Sequence, residues 1–367
     1  MDKLQIVQAL SKVKDPATGQ DIITLNMIRD LEIEGNKVNF TLELPRLDYP
    51  SKSELNFACI GAIQEVYPSA EVNVHSATEQ QKAGTKPPPA KKGAMPHVKN
   101  IIAVASGKGG VGKSTVSTNL ALGLKEMGAK VGLIDADLYG PSIPTMLGLQ
   151  GQRPKVQEVY GTPRLVPLEA FGISVMSIGF IIEPEQAVVL RGPRLGAIIK
   201  QFFNDCIWPE LDYLIIDLPP GTGDIQLTLV QTVSVTGSII VTTPQQVAVA
   251  DAIKAMSMFQ LPSVNVPILG VVENMSWFTP AELPDNKYHI FGSGGGQRLA
   301  DMAKTKLLGQ IPLVQSIRES SDDGKPALLN KDTPVAGIFM EVAKNTALQV
   351  NERNDKLAPT RKVDIKI

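Results

Sequence analysis

Residues 107–114 read Gly-Lys-Gly-Gly-Val-Gly-Lys-Ser, a spacing of glycines before a Lys-Ser pair that is suited to holding phosphate groups. Glycines let the backbone wrap so that its N–H groups point at phosphate oxygens. An apolar run at 101–105 predicts a buried strand before the loop, and 115–127 predicts a helix after it, whose positive end favours anions. A glycine-rich turn without a ligand is disfavoured by this context. We therefore predict that Lys113 contacts the β- and γ-phosphates of ATP and that Ser114 binds Mg²⁺. The predicted nucleotide-binding residues of the loop are Gly107, Lys108, Gly109, Gly110, Val111, Gly112, Lys113, Ser114 and Thr115.

Acidic residues follow two further apolar runs. Asp217 ends the run 213–216, and Asp135 and Asp137 follow the run 130–134. Acids just past parallel strands lie on the edge where such sheets bind ligands. A carboxylate there suits magnesium, so Asp217 is predicted to bind it. Asp135 and Asp137 are also placed to act at the ligand edge, and the alternative for both is a structural role in turn formation and helix capping.

A Pro- and Gly-rich run, residues 218–224, follows Asp217. This composition favours a loop that responds to the γ-phosphate. Asp224, at its end, is predicted to be structural.

Predicted strands and helices, which must position these residues, alternate regularly after residue 100. Short β-rich apolar runs alternate with longer helical segments, which is typical of an α/β fold with a doubly wound, mostly parallel sheet. Residues 100–352 are therefore predicted to form a P-loop ATPase domain. The predicted strands are 101–105, 130–134, 213–216, 238–242, 268–272 and 307–311, and helices include 115–127 and 247–259.

Residues 1–77 have the pattern of a separate small α/β domain. Apolar residues alternate along 38–44, as in a half-buried strand. A Pro- and Lys-rich linker, 78–99, is predicted next; a solvated tether is favoured over lysines that touch an acidic partner. A tail, 353–367, follows the ATPase domain. The predicted elements of the small domain are a helix at 4–13, strands at 28–33 and 38–44, a helix at 51–67 and a strand at 71–75.

Composition excludes several classes of function. Lys and Arg number 36 against 37 Asp and Glu, so no global charge favours nucleic acid or an anionic membrane. The chain starts without the pattern of an export signal and contains no apolar run long enough to span a bilayer, so we predict a cytoplasmic protein. The two cysteines, Cys59 and Cys206, lie far apart among apolar residues. They are predicted to be buried hydrophobes, with metal ligation as the alternative.

Residues 106–115 resemble the deviant Walker A motif of the MinD, ParA and nitrogenase iron-protein group. The resemblance implies that Lys108 reaches the nucleotide of a partner subunit, so that catalysis depends on dimerisation; a merely solvated side chain is the alternative. It also implies that Asp137 orients the attacking water, that Asp135 helps to hold the magnesium shell, and that Asn274 reads the adenine. Lys108, Lys113 and Asp137 are then the catalytic residues. By itself, an Asn after a strand is commonly only a turn residue.

Further runs resemble the Mrp/ApbC family of iron-sulfur cluster carrier ATPases over about residues 99 to 350. These runs are 135–144, 191–193, 217–224 and 243–246. Residues 1–77 are similar to the small iron-sulfur assembly domain often fused ahead of it, with Asp15 and Pro16 matching an Asp-Pro element. The resemblance implies a homodimer that holds a cluster at its interface through a Cys-x-x-Cys pair from each subunit. Apo iron-sulfur proteins or assembly factors are the implied partners.

The chain departs from that family at both cysteine positions. Residues 279–292, where the family has Cys-x-x-Cys, contain no cysteine and offer Glu282, Asp285 and His289 instead. These are harder ligands than the thiolates that hold iron-sulfur clusters. In the small domain, residues 48–50 read Asp-Tyr-Pro where a Cys-Pro is expected.

Three functions remain compatible with these residues. The first is an iron-sulfur cluster carrier or assembly ATPase whose cluster ligands are different, such as Cys206 or cysteines of a partner. The second is a metal-free ATPase switch that recruits partners through the small domain. The third is a positioning ATPase like MinD or ParA, although the tail, interrupted by Pro359 and mixed in charge, is poorly suited to lie on a membrane.

Overall fold

A computed structural model describes residues 1–25, 27–44, 49, 52–78, 95, 97–137, 140–159, 162–181, 192–280, 282–283 and 285–358. The chain divides into two compact units, Met1–Ala90 and Lys91–Ile367. Most of the predicted linker 78–99 and the tail from residue 359 lie outside the described residues. The predicted domain boundaries therefore stay predictions.

The first unit is a three-stranded sheet with two helices. Strand β2 is antiparallel to β1 and parallel to β3. Along β2 the buried residues alternate, because every second side chain faces the core that includes Phe40 and Leu42. Cys59 is part of that core, and burial raises the pKa of its thiol to about 12, so the prediction of a buried hydrophobe is confirmed for it. The elements are α1 (Lys3–Leu10), β1 (Ile28–Glu34), β2 (Lys37–Leu44), α2 (Lys52–Val66) and β3 (Glu71–Thr78).

The first helix is shorter than predicted. It ends at Leu10, and the chain then turns so that Lys14 pairs with Asp21 in a β-bridge. The apolar spacing continues as far as Val13, which still enters the core, and periodicity alone therefore extended the predicted helix by three residues.

The second unit is built on an eight-stranded sheet in the order β13-β12-β11-β4-β10-β5-β9-β8. Neighbouring strands are parallel except β8 and β9, and this confirms the predicted α/β fold. Strands β6 and β7 form a separate antiparallel hairpin. The strands are β4 (Val98–Ser106), β5 (Val131–Asp135), β6 (Lys155–Val159), β7 (Thr162–Val166), β8 (Leu168–Ala170), β9 (Ile173–Ser177), β10 (Leu211–Asp217), β11 (Gly237–Thr242), β12 (Ile268–Phe278) and β13 (Leu307–Leu313).

All six predicted strands lie in this sheet, whereas β6 to β9 were not predicted. They are three to five residues long, and β6 has an almost wholly exposed burial pattern, so neither an apolar run nor a clear alternation marks them. The helices of this unit are α3 (Lys113–Glu126), α4 (Ile143–Met146), α5 (Gly192–Asn204), α6 (Asp224–Thr232), α7 (Gln246–Gln260), α8 (Gly295–Ala303), α9 (Gln315–Asp322) and α10 (Pro334–Lys356).

The strand order creates the place where the site forms. After β4 the chain passes through α3 to β5, and only later does β10 insert between them. In register, Asp217 at the end of β10 faces Val104 of β4 on one side and Asp135 of β5 on the other. The loops that leave β4, β5 and β10 therefore share one edge of the sheet, the usual ligand edge of such folds.

No helix among the described residues is long and apolar enough to cross a membrane.

Helix α3 packs closely on α10, and Gly123 makes this contact possible. A methyl group at Gly123 would lie 2.7 Å from the Cβ of Ala343 and 3.3 Å from Cδ1 of Leu328. Gly337, also in a helix, is exposed and would place a methyl in open space.

We expect Gly123→Ala to melt at a lower temperature than Gly337→Ala. Both substitutions gain the same intrinsic helix propensity, but overpacking at residue 123 costs about 1–3 kcal/mol. Thermal denaturation of the two variants measures the difference, and equal melting temperatures would show that the α3–α10 contact can relax at no cost.

Candidate nucleotide site

The loop between β4 and α3 lines a pocket of about 360 Å³. Gly112 adopts φ 81°, and a side chain there would collide with the amide of Asn274. A side chain at Gly107 would collide with the backbone of Asp251. Both positions therefore require glycine. The residues of the loop that line the pocket are Lys108, Gly109, Gly110, Gly112, Lys113, Ser114 and Thr115, joined by Ser106, Asp137, Gly140, Ser142, Met146 and Pro220.

Lys113 lies between two carboxylates. Its Nζ is 2.8 Å from Oδ2 of Asp217 and 3.4 Å from Oδ2 of Asp137. Burial opposes its charge, but the carboxylates of Asp217 and Asp137 outweigh that penalty and raise the pKa of Lys113. A fixed cation therefore stands at the start of α3, where the helix N-terminus also favours phosphate.

Asp217 is fully buried and organises the hydroxyl groups around it. Its Oδ2 accepts a hydrogen bond from Oγ of Ser114, and its Oδ1 accepts one from Oγ of Ser117, each at 2.6 Å. The hydroxyl of Ser114 and the carboxylate of Asp217 are the hard oxygen donors that Mg²⁺ prefers, so the residues present fit the ion. Ser117 was not predicted; its signal is its place one helical turn after the loop.

Asp135 lies beneath the pocket rather than on its surface. It is fully buried, its Oδ1 accepts a hydrogen bond from N of Asp137 at 3.2 Å, and its Oδ2 accepts one from N of Ile143 at 3.4 Å and one from Oγ of Ser177 at 2.9 Å. Burial, together with the charge of Asp217, raises the pKa of Asp135 to about 8. These bonds are those of a turn-forming acid, and a direct role in holding magnesium stays a prediction.

Asn274 lies within β12, so the alternative of a turn residue after a strand is wrong for it. Its Nδ2 donates to O of Val111 at 2.9 Å and supports the phosphate loop from behind. The next residue, Met275, has φ 54°, where the strand becomes irregular. That bond uses one of the two N–H groups of the amide, and adenine contact by Asn274 stays a prediction.

The Pro- and Gly-rich run 218–224 is hydrogen-bonded to the end of β4, next to the phosphate loop. N of Leu218 donates to O of Val104 at 3.0 Å, and N of Gly221 donates to O of Ser106 at 2.9 Å. From α6, Nε2 of Gln226 donates to O of Pro219 and to O of Gly221, each at 3.0 Å. Helix α6 begins at Asp224, whose structural role stays a prediction. Gln226 was not predicted, because a glutamine inside a helix carries no sequence signal.

Phe278 and Tyr288 pair with each other beside the place where the family's cysteine pair was expected. Phe278 and Tyr288 exchange backbone hydrogen bonds of 2.9 and 2.8 Å, and Nζ of Lys287 lies 4.5 Å from the ring centre of Trp277. Nδ1 of His289 is 3.0 Å from O of Ser276. Among the residues that the structure describes, no group of three or more His, Cys, Asp or Glu could hold a metal, so Glu282, Asp285 and His289 do not form such a group.

Cys206 and the described neighbours of the expected Cys-Pro element show no site for a metal. Cys206 packs partly buried against the core, and burial with the nearby Asp205 raises the pKa of its thiol to about 12. In the small unit, Oη of Tyr49 donates to Oδ1 of Asp15 at 2.8 Å. Positions 48 and 50 lie outside the described residues. A thiol with so high a pKa carries little thiolate, which is the form that binds metals.

The fold and the pocket define a P-loop NTPase. The family model described as ParA, NUBPL iron-transfer P-loop NTPase, matches residues 97–347, and the model of iron-sulfur cluster assembly proteins matches residues 3–75. The chain therefore belongs to the family of NUBPL iron-transfer P-loop NTPases. This membership confirms the resemblance inferred from the motifs and makes the chain an ATP-hydrolysing enzyme.

Known relatives cover nearly the whole chain. It is 44% identical to an iron-sulfur cluster carrier protein of Synechocystis sp., over 94% of this chain and 97% of the relative. It is 38% identical to one of Escherichia coli, over 95% and 92%.

Solved structures show the same fold. A nucleotide-binding protein of Archaeoglobus fulgidus in complex with ADP is similar with a TM-score of 0.57 and 36% identity, over 67% of this chain and 94% of that one. The cell division ATPase MinD of Pyrococcus furiosus, at 21% identity and a TM-score of 0.50 over 68% and 99%, shares the fold.

We expect Lys113→Ala to abolish ATP binding or hydrolysis, because it removes the cation held between Asp217 and Asp137. Binding is measured by titration with a fluorescent ATP analogue, and hydrolysis by phosphate release. Lys254→Ala is the control, since that lysine is 74% exposed and forms its ion pair with Asp251 on the same helix, α7. Normal hydrolysis by Lys113→Ala would overturn the site.

Proposed function

We propose that the chain carries or assembles iron-sulfur clusters in a process driven by ATP binding and hydrolysis, as a nucleotide-bridged homodimer. The observation that carries the proposal is the full-length likeness to iron-sulfur cluster carrier proteins, 44% identity over 94% of the chain. A match to an iron-sulfur assembly model at residues 3–75 and to an iron-transfer NTPase model at 97–347 supports it, because both parts occur in one chain.

The proposed hydrolysis uses the residues gathered at the sheet edge. Mg²⁺, held by Ser114 and Asp217, supplies charge neutralisation at the phosphates when bound. Lys113 binds the β- and γ-phosphates, and the backbone N–H groups of residues 107–114 orient them. Asp137, whose carboxylate lines the same pocket, accepts a hydrogen bond from the attacking water and holds it toward the γ-phosphate. Lys108, from the partner subunit, offsets the charge that develops there.

In this proposal the iron-sulfur cluster is the cargo, and the thiolate ligands that hold it come mainly from partner proteins. Cys59 is buried in the core of the small unit, and the pKa of Cys206 is about 12. The sequence contains no other cysteine. Apo iron-sulfur proteins or assembly factors are therefore the proposed partners, and the small domain is the part proposed to recruit them.

A metal-free ATPase switch is the second candidate, and the absence of cysteine from residues 279–292 favours it. The fold shared with MinD does not by itself support a positioning function on membranes or DNA. The cytoplasmic location stays a prediction.

Anaerobic reconstitution separates the two candidates. We expect the whole chain, mixed with a cysteine-rich apo iron-sulfur protein, iron and sulfide, to speed cluster loading of that protein when ATP is added, and Lys113→Ala to fail. Cys206→Ser should transfer normally, because its thiol is mostly protonated. Iron and acid-labile sulfide are assayed on the separated proteins. Absence of iron from the chain together with a loading rate unaffected by ATP would leave the metal-free switch.

We expect Lys108→Ala to slow hydrolysis and to weaken ATP-dependent dimerisation. Lys108 lines the pocket, and its ammonium has no ion-pair partner within the described part of the chain, so it is available to a second nucleotide. Turnover per subunit is measured against protein concentration, and dimerisation by sedimentation with ATP. Lys130→Ala, which removes an ammonium 68% exposed, is the control. Turnover independent of both concentration and Lys108 would contradict the dimer mechanism.

A further inference from the structure

Ser177 connects strand β9 to the loop that carries Asp137. It is fully buried at the last position of β9, with extended backbone angles of φ −132° and ψ 144°. Its Oγ accepts a hydrogen bond from N of Gly179 at 3.0 Å and donates to Oδ2 of Asp135 at 2.9 Å. The bond from Gly179 leaves the hydroxyl proton to point at the carboxylate.

The carboxylate of Asp135, which Ser177 holds in place, is hydrogen-bonded to the backbone near both ends of the loop 135–143. Its Oδ1 accepts from N of Asp137, and its Oδ2 accepts from N of Ile143, the first residue of α4. The orientation of one carboxylate group therefore sets the backbone on both sides of the loop. Because Ser177 fixes one oxygen of that group, it limits rotation of the carboxylate about its terminal bond, which is otherwise broad.

A second contact from the same segment supports the loop. Gly179 packs against Pro141, and a methyl at Gly179 would lie 3.0 Å from Cβ of Pro141. The end of β9 thus meets the loop at two places, one by hydrogen bond and one by packing. Neither place lines the nucleotide pocket, so both act on the loop and not on the ligand.

We propose that Ser177 is a positioning residue for ATP hydrolysis, which acts through Asp135 to place Asp137 against the attacking water. This inference rests on the role proposed above for Asp137. Ser177 bonds to Asp135 and Gly179, neither of which lines the nucleotide pocket, and so it affects the reaction step and not affinity. Small displacements of a group that orients a reactant lower the rate strongly, while binding through the phosphate loop is unaffected.

Ser177→Ala tests this, with Ser238→Ala as the matched control. Ser238 is an equally buried serine in the same sheet, on β11, and its Oγ has no hydrogen-bond partner in the part of the chain that the structure describes. We expect Ser177→Ala to lower kcat about tenfold while KM for ATP and the Kd of a non-hydrolysable analogue change by less than about twofold. Ser238→Ala should leave all three unchanged.

Non-additivity distinguishes positioning from general damage to the fold. In an Asp137→Ala background, which should bind ATP but not turn it over, Ser177→Ala should cause no further loss of the residual rate. Unchanged kcat in Ser177→Ala, or a raised KM with normal kcat, would overturn the inference. If Asp137→Ala itself hydrolyses ATP normally, the role of Asp137 fails; if Asp137→Ala is inactive and Ser177→Ala is normal, only the role of Ser177 fails.

Discussion

The ion pair between Lys113 and Asp217 is the contact around which the nucleotide unit is arranged. The side chain of Lys113 is 6% exposed and that of Asp217 is 0% exposed, and Nζ of Lys113 lies 2.8 Å from Oδ2 of Asp217. A buried charge is costly unless it is paired and hydrogen-bonded, so each of these groups requires the other. Asp217 also receives hydrogen bonds from Ser114 and Ser117, which completes its shell with groups from a single helix.

This pair is possible because of the order of the strands. Lys113 follows β4 and Asp217 ends β10, and these strands are neighbours only because the chain returns to insert β10 between β4 and β5. The same insertion places Asp135 beside Asp217 in register. Asp135, Asp137, Asp217 and Lys113 thus meet at one edge of the sheet, although they come from three separate segments of the chain. Glycine at 107 and 112 then lets the loop lie against Asp251 and Asn274 without a side chain between them.

The nucleotide site could be predicted from the sequence to the extent that its parts are local. A loop of eight residues carries Lys113 and Ser114 together, and Asp217 ends an apolar run, so each is visible in a short window. Ser117, Ser177 and Gln226 were not visible, because their roles depend on which distant atom each hydroxyl or amide meets. For Asp135 the resemblance implies a place in the magnesium shell, which stays a prediction; its hydrogen bonds come from the backbone of its own loop and from Oγ of Ser177. The short strands β6 to β9 could not be predicted from the sequence, because three to five residues are too few to show a periodic pattern of apolar residues.

The raised pKa of both thiols has a consequence for damage by oxidants. Oxidation of cysteine follows thiolate character and exposure, and Cys59 lies in a core while both thiols have a pKa of about 12. The ATPase unit and the small unit therefore present almost no thiolate to peroxide.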